Sequence, residues 1–415
     1  MFATAPSHTL LTVIIISKQT PKHVKPLSLR ELIRGVLRFK FLRNSTPPKA
    51  LAAAKVLAHS SAGGPKDARR MATRDTIVIG ASAGGVQALT NLVTALPSDL
   101  PAAVFIVLHV PANAPSLLPF ILSRASQLPV AHAVSGEEIK RGRVYVAPPD
   151  HHLLIEPGYV KLVHGPKENL HRPSIDALFR SAARVAGPRV IGVVLTGARD
   201  DGTAGMRWIK QRGGLAIVQD PSEAPFPSMP LSVMQDIKVD YSLPLIEMAP
   251  LLTRLSHETT DDEGGYPVPD QLEIESRIAE QEMESSELIA SVEKIGKVST
   301  LTCPDCHGAL WEIKDQDILR YRCHVGHAFS AESLNEGQSQ MLEVALWSAV
   351  RALEEQMILA KRIVERARKA NHQRAAILFE KRAQAAEEHS SLIRELLLSA
   401  QQGDIADPVL QTGDD

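Results

Sequence analysis

Three residues of this sequence have the types and positions needed for a nucleophilic site. Ser82 lies in the glycine-rich segment GASAGG, residues 80–85, and His109 and Asp201 each follow a later apolar run. A serine hydroxyl is a weak nucleophile that becomes reactive when a histidine takes its proton and a carboxylate orients the histidine. The pattern therefore predicts a triad of Ser82, His109 and Asp201.

The segment around Ser82 is typical of a sharp turn between a strand and a helix. It follows the β-branched run TIVI and precedes a stretch in which apolar residues recur at helical spacing. The residues match G-x-S-x-G, the pattern of a nucleophile elbow. A phosphate-binding loop is the alternative, but the dinucleotide fingerprint G-x-G-x-x-G is not matched, and Asp99 precedes the next strand instead of ending it.

The elements that must position these residues form one predicted α/β domain. Strands are expected in five apolar runs that alternate with helical segments, and runs such as VIGVVL are apolar on both faces: residues 77–80, 104–108, 143–146, 190–195 and 215–218. Such runs are typical of a doubly wound, mainly parallel sheet covered by helices on both sides. Because the carboxyl ends of parallel strands meet at one edge, the three residues are expected to lie together there.

Alternatives remain for two members of the predicted triad. The pair Asp200-Asp201 could begin the helix that follows it, as turn and N-cap residues do. The base could also be one of four other histidines, which we interpret as surface or loop residues because none follows a buried strand as clearly: His132, His151, His152 and His164.

The three cysteines fall within one short stretch and predict a metal site. Cys303 and Cys306 form a C-x-x-C pair, and sixteen residues separate Cys306 from Cys323, which begins the segment CHVGH. A C-x-x-C pair and a second pair of ligands can bind zinc tetrahedrally. We expect the second pair to be Cys323 and His327, because His324 directly follows Cys323 and would need an awkward geometry. Alternating strands flank the cysteines, as in a zinc ribbon. Such a closed site is structural, and no cofactor is expected for catalysis. Unligated or redox-active cysteines are the alternative.

Composition changes along the chain divide it into six predicted parts. They are a basic, disordered segment 1–74 that could reflect an over-extended gene start, the α/β domain 75–255, an acidic linker 256–300, the zinc-ribbon-like module 301–330, a helical hairpin 331–400 and a loose tail 401–415. The apolar run at residues 10–16 is too short to span a bilayer. Clustered cysteines favour a reducing compartment, and we expect a cytoplasmic protein. The modest positive charge of the zinc module argues against nucleic-acid binding.

Five motifs in order give residues 75–255 a specific resemblance to a known family. The segments GASAGG, LHVP, YVAPPD, HRPSID and LTG…DGTAGM begin at residues 80, 108, 145, 171 and 195. Their order resembles the catalytic domain of chemotaxis protein-glutamate methylesterases, the CheB type.

The resemblance implies both an activity and roles for residues. Ser82 would be the nucleophile, His109 the general base and Asp201 its orienting carboxylate, while the backbone N–H of Ala198 would stabilise the oxyanion. Two interpretations of Arg172 remain open: its segment could only begin the helix that follows Pro173, or Arg172 could line the substrate groove and meet the acidic surroundings of a receptor helix. The implied substrates are glutamyl methyl esters of methyl-accepting chemotaxis receptors, with glutamine deamidation as a second activity. A catalytically silent regulatory or binding protein is the alternative.

Two features depart from the family pattern. Residues 1–74 are too short and too poor in acids to form the receiver domain that usually precedes this catalytic domain. The catalytic loop reads Ala-Arg-Asp-Asp where Met-Gly-Asn-Asp is typical, so Arg199 adds bulk and charge beside the site.

Overall fold

The computed structural model describes residues 72–260, 266–281, 283–315 and 318–403, with residues 285 and 400–403 given by their backbone alone. All of these belong to one compact unit, Asp67–Asp415. The predicted disordered segment lies outside the described residues up to residue 71, and the predicted tail does so from residue 404.

The first part of the described chain alternates strands and helices. Its strands are β1 (Ala72–Thr73), β2 (Thr76–Ala81), β3 (Ala103–Leu108), β4 (Val130–His132), β5 (Val144–Val146), β6 (His152–Glu156), β7 (Tyr159–Val163), β8 (Val190–Val194), β9 (Leu215–Gln219), β10 (Tyr241–Leu243) and β11 (Thr259–Thr260). Its helices are α1 (Gly85–Ala95), α2 (Leu118–Ala125), α3 (Ile175–Ala186), α4 (Thr203–Gln211), α5 (Ser228–Asp236) and α6 (Leu245–Ser256).

Seven of these strands form one sheet in the order β10-β9-β8-β2-β3-β5-β4. Every neighbouring pair in it is parallel. Strands β6 and β7 form a separate antiparallel hairpin, and β1 pairs with β11. The chain proceeds from β2 to β3 in one direction and later returns to β8 on the other side of β2. This reversal puts β2 at a topological switch point, where ligands bind open α/β sheets.

Both faces of the sheet are covered, as the doubly apolar strands require. Helices α1, α2 and α6 pack on one face, where their side chains join those of Ile77 and Ile79. Helices α3, α4 and α5 and the β6–β7 hairpin pack on the other, around Val78 and Phe105. The prediction of a doubly wound parallel sheet is therefore confirmed.

The second part begins where the sequence predicts an acidic linker. The structure has two helices there, α7 (Asp270–Glu280) and α8 (Ser285–Ile295). Leu272 and Glu275 of α7 are fully buried. Helix α7 packs against α3, and the Glu275 carboxylate is paired with arginines. The segment over these helices is therefore a packed element. Composition concealed this, because acids that form ion pairs look the same in sequence as acids that face solvent.

The remaining elements form a small sheet and a long helical hairpin. Strands β12 (Gly296–Thr302), β13 (Ala309–Ile313), β14 (Arg320–Cys323) and β15 (Ala328–Ser330) form an antiparallel sheet in that order. Helices α9 (Ala331–Lys369) and α10 (Gln373–Gly403) pack along each other. The turn between them includes Asn371 and His372. None of the helices in the described ranges is long and apolar enough to cross a membrane.

Candidate active site

Ser82 follows β2 directly and is held in a tight turn before α1. Its N–H donates to Thr196 O at 3.1 Å, and its carbonyl accepts from Gly85 N–H at 2.9 Å. Gly84 has φ 74°, a left-handed conformation that favours glycine. A Cβ on Gly197 would lie 2.9 Å from the Ser82 Cβ, so glycine allows the loop after β8 to approach the serine closely.

His109 follows the neighbouring strand β3 and joins Ser82 to Asp201. Its Nδ1 lies 3.1 Å from Ser82 Oγ, and its Nε2 lies 2.7 Å from Asp201 Oδ2. The carboxylate accepts from Nε2–H, so the lone pair of Nδ1 faces the serine hydroxyl. The structure thus brings the three predicted triad residues into one hydrogen-bonded chain at the carboxyl edge of β8, β2 and β3.

Asp201 is buried among donors. It accepts from the Ile175 and Asp176 N–H groups at the start of α3 (2.7 and 3.2 Å), Ser174 Oγ–H (2.9 Å) and an Asn169 Nδ2–H (2.9 Å). Burial by itself would raise its pKa, but the hydrogen bond and charge of His109, followed by the other neighbours, hold the pKa well below its usual range. Asp201 is therefore a carboxylate, and the α3 N-terminus favours that charge.

Two further residues at the site were not found from the sequence. The ring of His171 stacks on that of His109, with centroids 3.6 Å apart and planes inclined by 11°. Burial, followed by the charge of His109, lowers the pKa of His171 to about 3, so it is neutral at physiological pH. Asp176 accepts from Gly202 N–H at 3.1 Å and Gly205 N–H at 2.6 Å, which fixes the loop that carries Asp201. The HRPSID motif contains both residues and was their only sequence signal.

The other histidines do not join this chain of hydrogen bonds. His152 lies in β6 and is fully buried, so our interpretation of it as a surface or loop residue is wrong. Its Nε2–H donates to Pro166 O at 2.8 Å, and its Nδ1 accepts from Ser174 N–H at 3.2 Å. Strands β6 and β7 lie outside the five predicted strand runs. The Nε2 atom of His164 is hydrogen-bonded to Asp150 Oδ2 at 2.9 Å.

A cleft of about 360 Å³ opens beside His109 and is lined by His171, Lys167, Leu170 and Arg172, among others. The Arg172 guanidinium is already engaged, with Nε and Nη2 on Asp150 Oδ1 (2.9 and 2.6 Å) and Nη1 on Gly165 O (2.6 Å). These bonds fix the wall of the cleft.

The loop that carries Asp201 also contains Ala198 and Arg199. Ala198 is exposed, and within the described part of the chain its N–H has no hydrogen-bond partner. Arg199 pairs with Glu336 of α9 at 3.0 Å, which directs its charge toward the C-terminal helices.

The cysteine cluster forms a compact ligand set away from the triad. Ligand atoms of Cys303, Cys306, Cys323 and His327 all lie within 4.8 Å of one another. Sγ of Cys306 is 3.7 Å from that of Cys323, and His327 Nδ1 is 3.5 Å from Cys323 Sγ and 3.7 Å from Cys303 Sγ. A tetrahedral zinc ion has S–S edges of roughly 3.8 Å and S–N edges of roughly 3.6 Å, so these residues fit such a metal. His324 instead packs edge-on against Trp311.

The part of the chain that forms the sheet and the triad is similar to known proteins. The family model described as CheB methylesterase matches residues 77–252. A protein of Leptospira interrogans, provisionally named protein-glutamate methylesterase/protein-glutamine glutaminase, is 42% identical over 188 residues, which are 45% of this chain and 97% of that protein. Protein-glutamate methylesterase/protein-glutamine glutaminase 2 of Methanosarcina mazei is 39% identical over 194 residues, 45% of this chain and 53% of its own length.

One solved structure completes the comparison. The CheB methylesterase catalytic domain of Thermotoga maritima is 36% identical with a TM-score of 0.42, over 44% of this chain and 98% of that one. The family model covers the part of the chain that forms the sheet and the triad, and the Leptospira relative is matched over nearly its whole length. The chain therefore belongs to the CheB methylesterase family.

Proposed function

We propose that this chain hydrolyses glutamyl γ-methyl esters on chemoreceptor-like proteins by a Ser-His-Asp mechanism. The observation that carries the proposal is the continuous hydrogen-bonded chain from Ser82 Oγ through His109 to Asp201 at the switch point of the sheet. The pattern of nucleophile, base and orienting carboxylate is the one that acyl transfer requires.

In the first half-reaction, Ser82 Oγ attacks the ester carbonyl while His109 Nδ1 takes its proton. The tetrahedral intermediate carries a negative oxygen, and the backbone N–H of the exposed residue Ala198 is our candidate to stabilise it. The C–O bond to the methoxy group then breaks, and the leaving group receives its proton from His109 and departs as methanol.

In the second half-reaction, water attacks the acyl-enzyme with His109 as base, and the glutamate carboxylate leaves Ser82. A glutamine side chain can react by the same route, in which ammonia leaves instead of methanol, so we include glutamine deamidation. In both, the Asp201 carboxylate stabilises the imidazolium as it forms. The neutral His171 ring lies on the face of His109 and keeps it from rotating away without adding a competing positive charge.

Substrate recognition is assigned to the cleft beside His109. Arg172 remains our candidate for its wall, together with Lys167, whose Nζ lies 3.7 Å from Asp305 Oδ1. Cationic side chains held at the wall suit the acidic surface that glutamate-rich receptor helices present. We propose a cytoplasmic location on this basis and because none of the three cysteines forms a disulfide.

We propose zinc as the occupant of the Cys303, Cys306, Cys323 and His327 cluster. Four protein ligands fill a tetrahedral coordination shell, so the ion would stabilise the ribbon and supply no chemistry to the ester. Neither the triad nor the cleft requires it.

The test is release of volatile methanol from receptors that carry radiolabelled glutamyl methyl esters. We expect release by the wild type and none above background by Ser82→Ala, with Ser123→Ala as a matched control because Ser123 is exposed on α2. Labelling of Ser82 by a serine-directed phosphonate reports reactivity without the receptor. A wild type that binds receptor but neither releases methanol nor reacts with phosphonate would support the silent binding protein instead.

A further inference from the structure

The C-terminal module, which comprises strands β12–β15 and helices α9 and α10, contacts the catalytic aspartate through one buried side chain. Asn169 is 5% exposed and lies between the triad and the start of α9. Its two Nδ2 hydrogens go to Asp201 Oδ1 at 2.9 Å and to Asp176 Oδ2 at 2.8 Å. Its Oδ1 accepts from two serines of the C-terminal module. The amide therefore connects two parts of the chain that are more than 150 residues apart in sequence.

The two serines determine which way the Asn169 amide points. Ser330 N–H donates to Asn169 Oδ1 at 2.9 Å, and Ser333 Oγ–H donates to the same oxygen at 3.1 Å. A backbone N–H can only donate, so the carbonyl end of the amide must face it and the NH₂ end must face the carboxylates. The first turn of α9 thereby directs both amide hydrogens toward Asp201 and Asp176.

The same module supports the backbone conformation at this point. Asn169 and Leu170 have φ of 50° and 69°, which is unusual for residues other than glycine. Asn169 N–H donates to Ala328 O of β15 at 2.8 Å, and Ala328 N–H donates to Lys167 O at 3.2 Å. The Leu170 side chain packs in the small core of the ribbon. These contacts hold a turn that would be unfavourable alone.

We infer that Asn169 is a positioning residue for Asp201 and that Ser330 and Ser333 make the C-terminal module part of the catalytic architecture. Asp201 would still accept from Ile175, Ser174 and Asp176 without the Asn169 amide. The loss is therefore smaller than removal of a triad member. At metal sites, removal of the hydrogen-bond partners of the ligands costs roughly tenfold to a hundredfold in activity, and we expect a loss of the same order for a partner of Asp201.

The experiment uses the full chain and rests on the proposed function, because it measures Ser82 reactivity. Asn169→Gly removes the amide and keeps the positive φ. Asn371→Gly is its matched control, since Asn371 is also an asparagine with positive φ, at 60°, but lies in the α9–α10 turn. Ser333→Ala removes one donor to Asn169, and its control is Ser339→Ala, whose hydroxyl bonds only within α9.

The readouts are kcat and KM for methanol release and the rate constant for phosphonate labelling. We expect Asn169→Gly to lower kcat and the labelling rate by roughly tenfold to a hundredfold, with KM unchanged. Ser333→Ala should lower both rates severalfold. The double variant should lose no more than Asn169→Gly alone, because the two residues act in one chain. Both controls should match the wild type.

Each unfavourable result has a distinct meaning. Equal kcat and labelling rates in wild type, Asn169→Gly and Ser333→Ala would overturn the inference, as would independent, multiplicative losses in the double variant. A rise in KM or a fall in stability alone, with the labelling rate unchanged, would overturn it too, because positioning acts on the reacting group. A wild type with no reactivity would refute the proposed function instead.

Discussion

Replacing Glu168 by glutamine tests how the C-terminal module is fixed to the catalytic domain. The Glu168 carboxylate is buried between Arg180 of α3, which it binds at 2.7 and 2.9 Å, and Arg322 of β14, at 3.5 Å. Burial opposes its ionisation, but the charges of the two arginines lower its pKa from 4.5 to about 2. The carboxylate is therefore ionised in the folded protein and holds two elements together.

The magnitude follows in two ways. A pKa lowered by 2.5 units corresponds to about 3 kcal/mol of stability at neutral pH. Removal of one partner from a buried ion pair costs about 3–5 kcal/mol, because the other charge is left unpaired. We therefore expect Glu168→Gln to lower the free energy of unfolding by about 3–5 kcal/mol at pH 7.

The sign of the pH dependence sharpens this prediction. Because the folded-state pKa of Glu168 is lowered, its contribution is present above about pH 4.5 and is lost as pH falls toward 2. The difference between the wild type and Glu168→Gln, measured by urea unfolding, should shrink over that interval. Glu387→Gln is the matched control: Glu387 pairs with Lys361 at the surface, so its loss should cost less than about 1 kcal/mol. A Glu168→Gln cost as small as the control's, or one constant with pH, would refute the reasoning.

Three further outcomes are expected. Asp201→Asn should lower kcat and the phosphonate labelling rate by roughly 10⁴-fold, because the neutral amide no longer stabilises the imidazolium; an effect below tenfold would contradict the triad. His327→Gln should lose zinc, measured by mass spectrometry of the purified protein, whereas His324→Gln should retain it; equal zinc in both would contradict the ligand set. Burial, together with the charge of Glu332, raises the pKa of Asp200 to about 7, so between about pH 4 and pH 7 the folded protein keeps a proton that the unfolded chain has lost, and stability should fall as pH rises over that range. In Asp200→Asn, the urea midpoint measured at a series of pH values should lack this fall. A pH dependence of the midpoint equal to that of the wild type would contradict the assignment.

The sequence predicted the parts of this protein in which local pattern and function coincide. The central strands β2, β3 and β8 are apolar on both faces, and each is followed by one triad residue, so the rule about carboxyl ends was enough to bring Ser82, His109 and Asp201 together. The C-x-x-C spacing likewise pointed to the ligand set in which all four atoms converge.

The remainder depended on contacts between distant segments. In the sequence, Glu275 is one acid among many in a predicted linker. In the fold, Arg320 of β14 binds it, with Arg320 Nη2 2.7 Å from Glu275 Oε1. Asn169 is an ordinary turn residue in sequence, and only the folded chain places it between Asp201 and Ser330. A Ser-x-x-Ser pattern before the long helix was a detectable N-cap signal, since Ser333 N–H donates to Ser330 Oγ, but it does not reveal which side chain that cap would meet.

The most direct test of the account is the count of volatile methanol from radiolabelled, methylated receptors. The account predicts steady release by the wild type, equal release by Ser123→Ala and release at background by a folded Ser82→Ala. Release by folded Ser82→Ala at the wild-type rate would contradict it, because the proposed acyl-enzyme forms on Ser82 Oγ.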